Sequence, residues 1–278
     1  MKTINRGKNL LLNAAIIAYL LLSLAPLLIT LSNALRSPDN MKSPFLLFQE
    51  MSFKSLAIAF QKIGFLSAFG NSVLITTTAV LSIIIVASMA AYPLSRLNTR
   101  LSRFLALFFL AGIIVSAQIA IIPIYKVFKT IQLNHSRLAP ILMYVSGSMP
   151  FSIFLYTQFI RGSIPVALEE AALMDGAGLF SRYWNVILPL LLPATLAIVF
   201  TQGVAIWNDF FMPMLFITEQ VKKPLTLAML GFMGDVESPT QWNVLFAACY
   251  LCTIPLLIAY AALQKYFISG LVIGGVKG

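Results

Sequence analysis

The chain has 278 residues, of which 59% are hydrophobic and only 10% are charged, and its mean hydropathy is +0.90. Soluble domains carry about 25% charged residues, so this composition excludes an ordinary soluble protein and indicates a membrane protein. The formal net charge is +10, but no basic and aromatic cluster suggests a nucleic-acid surface, and lipid headgroups and membrane topology explain the basic residues better.

Intervals that hold at most one charged residue predict six membrane-spanning helices. They cover about 9–31, 66–92, 104–125, 138–160, 188–214 and 243–264. Each interval reaches the ~20 residues that a helix needs to cross the hydrocarbon core. The first interval follows three basic residues, as a signal peptide would, but its apolar run exceeds the ~7–15 residues of a signal sequence. We therefore predict an all-α integral membrane protein with six spans in a single domain over residues 1–278.

Prolines lie inside or at the edge of most of these spans. In membranes they are tolerated where neighbouring helices satisfy the freed carbonyl groups, so we expect kinks and not breaks. An even number of spans puts both termini on one side. The density of basic residues before the first span and between Arg96 and Arg103 favours the cytoplasmic side for both termini.

The connection between the fourth and fifth spans is the most informative stretch. Pro165 suits the first turn of a helix, because a backbone N–H at that position would have no partner within the helix. A helix that begins there would run to about Asp175. Gly176 and Gly178 then provide the backbone freedom for a sharp bend. An apolar stripe from Leu179 to Leu188 predicts a second helix. Residues 164–188 are thus predicted to form a helix–glycine–helix elbow.

The chain lacks the motifs of an enzyme or of a nucleotide-binding protein. It has no H-E-x-x-H, no phosphate-binding loop of the G-x-x-x-x-G-K-[ST] type and no histidine–carboxylate cluster. We predict no catalytic residue, no cofactor site and no metal site in this chain. If ATP drives its activity, another subunit binds the ATP.

Asp209 is the one acidic residue in or near a predicted span, in the sequence Trp207-Asn208-Asp209-Phe210. A charge at the bilayer centre costs at least ~2.5–3.5 kcal/mol, so such residues usually face a cavity or a partner. One interpretation is a polar group that lines the path of a hydroxylated solute, with Trp207 as a stacking platform. The other is an interfacial cluster at the level of the lipid headgroups.

Together these residues resemble the permease subunits of bacterial ABC importers, and more narrowly the maltose-type carbohydrate permeases. The importer signature is E-A-A, three residues, G, nine residues and I-x-L-P. Here it reads Glu170-Ala171-Ala172, then Gly176, then Val186-Ile187-Leu188-Pro189, with valine at the usual isoleucine position. Asn71-Ser72, the sequence Ala91–Arg96, the W-N-D-F sequence and the ending from Gln264 to Gly278 are similar to further motifs of the sugar subfamily.

The resemblance implies that the elbow is a coupling helix held in a cleft of a cytoplasmic ATPase subunit. The residues implied in this contact are Glu169, Glu170, Ala171, Ala172, Asp175, Gly176, Phe180, Trp184 and Pro189. The acids among them would pair with basic groups of the ATPase. A C-terminal tail that also reaches the ATPase comprises Gly274, Gly275, Val276, Lys277 and Gly278. The solute path would include Asn71, Trp207, Asn208 and Asp209.

By the same resemblance, the chain would work in the bacterial inner membrane with a related second permease as a heterodimer. Two ATPase subunits would bind ATP and Mg²⁺, and an extracytoplasmic solute-binding protein would dock on the outer loop at 219–240. The expected solute is a sugar or oligosaccharide, with a polyol or glycerol phosphate as alternatives. An ion-coupled secondary transporter would need an ionisable or broken-helix site near the midplane and usually a repeat, and no repeat is visible. The motif inventory argues against a membrane enzyme.

Overall fold

The computed structural model of the chain describes residues 2–40, 43–48, 50–114, 117–232 and 241–275. Helices account for the regular elements among them, apart from one isolated antiparallel bridge between Arg36 and Met51. In chain order, the first seven α-helices are α1 (Lys2–Ala34), α2 (Lys54–Ile63), α3 (Phe65–Arg96), α4 (Arg100–Gly112), α5 (Ile121–Thr130), α6 (Leu138–Ser163) and α7 (Val166–Met174). After these come α8 (Leu179–Arg182), α9 (Leu188–Leu190), α10 (Leu192–Asn208), α11 (Phe211–Phe216), α12 (Leu225–Met229) and α13 (Trp242–Gly275).

Four of the predicted spans are continuous helices. Leu12–Ala34, Phe65–Arg96, Leu138–Ser163 and Trp242–Ala262 are each long and apolar enough to cross a membrane. Pro26, Pro93, Pro150 and Pro255 lie inside these helices without ending them, as expected. The helical membrane-protein class is confirmed, while the count of six spans stays a prediction.

The third predicted span, 104–125, is not one helix in the structure. The chain forms α4, which ends at Gly112, and resumes with a 3₁₀ turn at Ala117–Ala120 that leads into α5. Pro123 explains the restart near residue 121, because a proline offers no N–H to a preceding turn and its ring clashes with the carbonyl four residues back. It therefore fits the first turn of α5 but not the middle of a longer helix.

The fifth predicted span, 188–214, is broken twice. Residues Leu179–Leu190 and Leu192–Asn208 meet at a bend of 69°, and together they form at most one further candidate span among the described residues. Pro193 removes the N–H that would have continued the helix past Leu191, so the expected kink is a break. The second break follows Asn208, where Asp209 adopts an extended conformation before α11.

The described chain divides into two compact units. The first contains residues 1–65 and 228–255, and the second contains residues 66–227 and 256–278. The prediction of a single domain over residues 1–278 stays a prediction. In the first unit, the Asn243 amide at the start of α13 donates to the carbonyl oxygens of Ser37 and Asn40, at 2.8 Å each. These bonds fix the segment that follows α1.

The second unit is built around α6, which contacts α4, α10 and α11. Gly112 permits a close approach of α4 to α6, because a Cβ atom there would lie 3.0 Å from Cγ of Pro150 on α6. On the α10 side, the hydroxyls of Tyr156 and Thr195 lie 2.9 Å apart. The α11 side is an apolar cluster centred on Met143 and Phe216. This unit contains both candidate sites described next.

Candidate functional site

The elbow (residues 164–188) bends at Gly176, as its sequence predicts. The helix α7 ends with Asp175 at its C-cap, and Gly176 follows with φ of +81°. The N–H of Gly176 donates to the Leu173 carbonyl at 3.0 Å, and the N–H of Ala177 donates to the Ala172 carbonyl at 2.9 Å. This pair of bonds is the Schellman ending of a helix, which needs a left-handed residue at the position that Gly176 occupies.

The second arm of the elbow begins after Gly178 and contains a π-helical turn. The four residues of α8 are α-helical, and Tyr183–Ile187 then form the wider turn before α9. Turns of this kind are rare in proteins, and those that occur often lie at functional sites. Here Tyr183 and Ile187 are buried, while Trp184 is 38% exposed and packs edge-on against Phe180 with ring centroids 5.9 Å apart.

Three polar residues on α3 hold both arms of the elbow. Ser88, Tyr92 and Arg96 are spaced four residues apart and therefore lie on one face of the helix. The hydroxyl of Ser88 lies 2.7 Å from that of Tyr183 on the second arm. On the first arm, Glu169 accepts a hydrogen bond from the Tyr92 hydroxyl at 2.8 Å and one from Nε of Arg96 at 2.6 Å. We call Ser88, Tyr92 and Arg96 the α3 stripe.

The α3 stripe also reaches the start of the elbow. Nη2 of Arg96 donates to the carbonyl oxygen of Ile164 at 2.8 Å, so one guanidinium binds both the elbow backbone and a carboxylate of α7. The Glu169 side chain is 7% exposed and that of Arg96 is 17% exposed. A charge pair shielded to this degree is screened far less by water and salt than a surface pair.

These contacts change the assignment of Glu169. The resemblance implied that it pairs with basic groups on an ATPase, but its carboxylate is buried and bound within its own chain. The reason is the helical geometry of α7, which points Glu169 towards α3 and the next residue, Glu170, away from it. Glu170 and Asp175 are exposed and stay available to a partner.

The outer face of the elbow is apolar and uncovered in this chain. Leu173, Met174, Leu179 and Phe180 are 54%, 88%, 70% and 67% exposed. The other residues implied in the contact are Ala171 and Pro189, which are exposed, and Ala172, which is half-buried. Exposed apolar surface of this kind, rimmed by polar residues, marks an interaction site.

A second candidate site is an open cavity of about 470 Å³ between α6, α10 and α11. Asp209 lies at this cavity and caps α11, because its carboxylate oxygens accept from the N–H groups of Phe211 and Met212 at 3.0 and 3.1 Å. It also accepts a 2.7 Å bond from the Tyr144 hydroxyl. Ser148 and Gln202, joined by a 2.8 Å hydrogen bond, provide the further polar lining.

The other residues predicted for the solute path do not line this cavity. The amide of Asn71 donates to the carbonyls of Val221 and Lys223, at 2.7 and 3.0 Å, and so holds a loop. Trp207 contacts Phe69, with ring centroids 6.1 Å apart, and the Asn208 amide bonds to the Val204 carbonyl of its own helix.

Three polar residues of this cavity were not among those predicted from the sequence: Tyr144, Ser148 and Gln202. Their signal was present in the sequence, because Tyr144 and Ser148 are four residues apart in a predicted span and Gln202 is an amide in an apolar one. Of the predicted C-terminal tail, Gly274 and Gly275 end α13. Residues 276–278, Val276, Lys277 and Gly278, lie outside the described residues.

Comparisons with known proteins place these features in context. Residues 83–272 match the family described as "Binding-protein-dependent transport system inner membrane component". The melibiose/raffinose/stachyose import permease protein MelC of Bacillus subtilis is 33% identical over 91% of this chain and 91% of its own length. The diacetylchitobiose uptake system permease protein NgcG of Streptomyces coelicolor is 30% identical over 91% of this chain and 84% of its own length.

A solved structure supports the fold independently. A chain of a bacterial ABC transporter involved in the import of the acidic polysaccharide alginate superposes with a TM-score of 0.82 at 23% identity. The superposition covers 95% of the present chain and 97% of the other one. At this identity the similarity establishes the fold alone.

Proposed function

The chain belongs to the family of binding-protein-dependent transport system inner membrane components, and we propose from this that it passes a sugar or oligosaccharide through an ATP-driven importer. It is a permease subunit of an ABC importer, so the ion-coupled secondary transporter considered from the sequence is set aside. The observation that carries the sugar proposal is the similarity to MelC at 33% identity over 91% of both chains.

The proposed partners follow from the architecture of such importers. Two ATPase subunits bind ATP and Mg²⁺, a second permease chain completes the pathway, and a solute-binding protein delivers the solute. Both termini and the elbow face the cytoplasm in this proposal. The loop at 219–240 faces the binding protein, although 233–240 lie outside the described residues.

We propose that the elbow transmits movement from the ATPase to the spans through the α3 stripe. The exposed apolar face of the elbow supplies a surface for the ATPase, and Glu170 and Asp175 supply negative charge beside it. On the opposite side, the three side chains of the α3 stripe form hydrogen bonds with both arms of the elbow. A push on the elbow therefore reaches α3, a helix of 32 residues, by hydrogen bonds and a shielded ion pair.

The cavity at Asp209 favours a neutral hydroxylated solute over a phosphorylated one. Its described lining offers a tyrosine hydroxyl, a serine hydroxyl, an amide and one carboxylate, and no lysine or arginine. Such groups can exchange hydrogen bonds with sugar hydroxyls. A phosphate would face the Asp209 carboxylate without a compensating cation, which is unfavourable at short range.

Uptake by reconstituted vesicles tests this function. The chain is co-expressed with a second permease, an ATPase and a solute-binding protein, and the complex is inserted into liposomes containing ATP. We expect uptake of a labelled oligosaccharide that depends on both ATP and the binding protein, with little uptake of glycerol 3-phosphate.

A binding protein specific for glycerol 3-phosphate, with matching uptake, would overturn the sugar assignment and favour the alternative. An Asp209→Asn variant sharpens the comparison, because it removes the charge and keeps an acceptor for Tyr144. If charge excludes phosphates, that variant admits them more readily while its sugar uptake changes little.

A further inference from the structure

A second cavity, of about 190 Å³, lies between α4 and the C-terminal half of α6. Its walls are mainly apolar and include Leu107, Leu110, Ile153 and Phe154. Three polar side chains occur among the lining residues: Thr157, Gln158 and Arg161, all on the last two turns of α6. The cavity is thus apolar along its length and polar at one end.

That polar end coincides with the ends of two candidate spans. The carbonyl oxygen of Leu94, near the end of α3, accepts from Nη2 of Arg161 at 2.8 Å and from the Ser102 hydroxyl at 3.3 Å. These two bonds bring the last turn of α6 to the first turn of α4. Arg100 and Arg103 are exposed in that first turn, and Arg161 lies in the last turn of α6, so the two turns that meet here contain three arginines.

The positive charge at this point lacks an anionic partner among the described residues. Arg100 and Arg103 occupy the start of α4, where the helix dipole favours negative charge, and the first turn contains no acidic residue. The nearby Glu169 carboxylate is already paired with Arg96. An anion bound here would therefore relieve repulsion between the arginines and the positive end of α4.

A buried hydroxyl points to a ligand independently of the charges. Thr157 is 4% exposed and lines the cavity, yet its hydroxyl has no hydrogen-bond partner in the described structure. Leaving such a group unpaired costs about 1–3 kcal/mol, so buried hydroxyls are normally satisfied. Gln158, beside it, makes no side-chain hydrogen bond with the described residues either.

We propose that this cavity binds one anionic phospholipid. Its phosphate lies against Arg103 and Arg161, its ester oxygens accept from Thr157 and Gln158, and an acyl chain runs along Leu110 and Phe154. Arg103 is placed for this role because it precedes Ala106, Leu107 and Leu110 by three, four and seven residues, which puts it on the cavity face of α4.

A phospholipid fits the arrangement better than a protein segment does. Two candidate spans finish at the basic end, so we place this end at the depth of the headgroups and the apolar part of the cavity beside the hydrocarbon. A second permease chain covering this face would bury three arginines and would need carboxylates of its own at the same place.

Native mass spectrometry of the purified importer complex tests the proposal. The complex is titrated with phosphatidylglycerol and with phosphatidylcholine of the same chain length. We expect wild-type protein to retain phosphatidylglycerol preferentially. Arg103→Gln should weaken retention of phosphatidylglycerol about tenfold, because it removes one charge-assisted contact to the phosphate. The Arg103 side chain makes no bond within the described chain, so this change should not disturb the fold. Lys129→Gln, an equal change on α5, serves as the control and should leave retention unchanged.

Leu110→Trp separates the apolar part of the site from the charges. It fills the cavity and keeps all three arginines, so it should also release the lipid. Equal retention of both lipids by wild-type protein, or unchanged retention in both variants, would overturn the proposal. A cross-link from Ala106→Cys to the second permease chain in place of lipid would overturn it too.

Discussion

The ion pair between Glu169 and Arg96 is the contact most open to a decisive test. Glu169→Gln removes the negative charge and keeps the size of the side chain, whereas Arg96→Gln removes the positive charge and leaves a buried carboxylate. We expect both variants to insert into the membrane and to loosen the elbow from α3. The double variant should be less affected than the sum of the two, because neither charge is left alone.

The size of the effect follows from the geometry. The Nε–Oε1 distance is 2.6 Å and the two side chains are 17% and 7% exposed. Fully exposed pairs contribute about 0.2–1 kcal/mol, whereas removing one member of a buried pair costs about 3–5 kcal/mol. Glu169→Gln still offers Tyr92 an acceptor, so we expect it to cost about 2 kcal/mol, or ~30-fold in the population of the attached elbow. Arg96→Gln should cost more.

The assay is the number of solute molecules imported per ATP hydrolysed by reconstituted complexes. A loosened elbow should lower this ratio while ATP hydrolysis itself continues. Glu170→Gln is the matched control, since Glu170 is exposed and makes no bond to α3; it should change assembly with the ATPase and not this ratio. A wild-type ratio in Glu169→Gln, Arg96→Gln and the double variant would refute transmission through the α3 stripe.

Three further predictions concern other contacts. Gly176→Val should uncouple transport from ATP hydrolysis, because φ is +81° there and a left-handed conformation costs such a residue about 1–2 kcal/mol. Gly176→Asn should be tolerated. The number of solute molecules transported per ATP measures both variants, and normal coupling in the valine variant would count against the bend. Asp209→Ala should lower oligosaccharide uptake, because it removes the cap of α11, worth about 1 kcal/mol, and the acceptor of the Tyr144 hydroxyl. Size-exclusion profiles should stay normal. Unchanged uptake would favour the interfacial interpretation. Gly112→Ala should lower the melting temperature of the complex, because the added Cβ would lie 3.0 Å from the rigid ring of Pro150 and overpacking costs about 1–3 kcal/mol; an unchanged melting temperature would contradict this close approach.

The features that local chemistry determines could be predicted from the sequence. The bend of the elbow needs a residue with positive φ after a short helix, and a glycine at position 176 predicts it because glycine adopts positive φ without strain. The four continuous spans follow from unbroken apolar runs. Family membership was predictable from the spacing of Glu170, Gly176 and Pro189, and the match over 83–272 confirms it.

Contacts between distant parts of the sequence could not be predicted in this way. Glu169 and Arg96 are 73 positions apart, and only the polar spacing of the α3 stripe hinted at a shared partner. Hydropathy also counts apolar side chains and ignores backbone hydrogen bonds, so it did not detect the interruption before Pro123. Asp209 shows a mixture of both cases: its exceptional position was visible, but its cap on α11 and its bond to Tyr144 required the fold.

The uncovered apolar face of the elbow has a consequence for how cells must make this protein. Met174 and Leu179 are 88% and 70% exposed, and on the cytoplasmic side they would meet water from the moment the fourth span is inserted. Chains produced in excess of their ATPase would then aggregate or be degraded by proteases. If the elbow faces the cytoplasm as proposed, cells would therefore need to make this chain and its ATPase in balanced amounts.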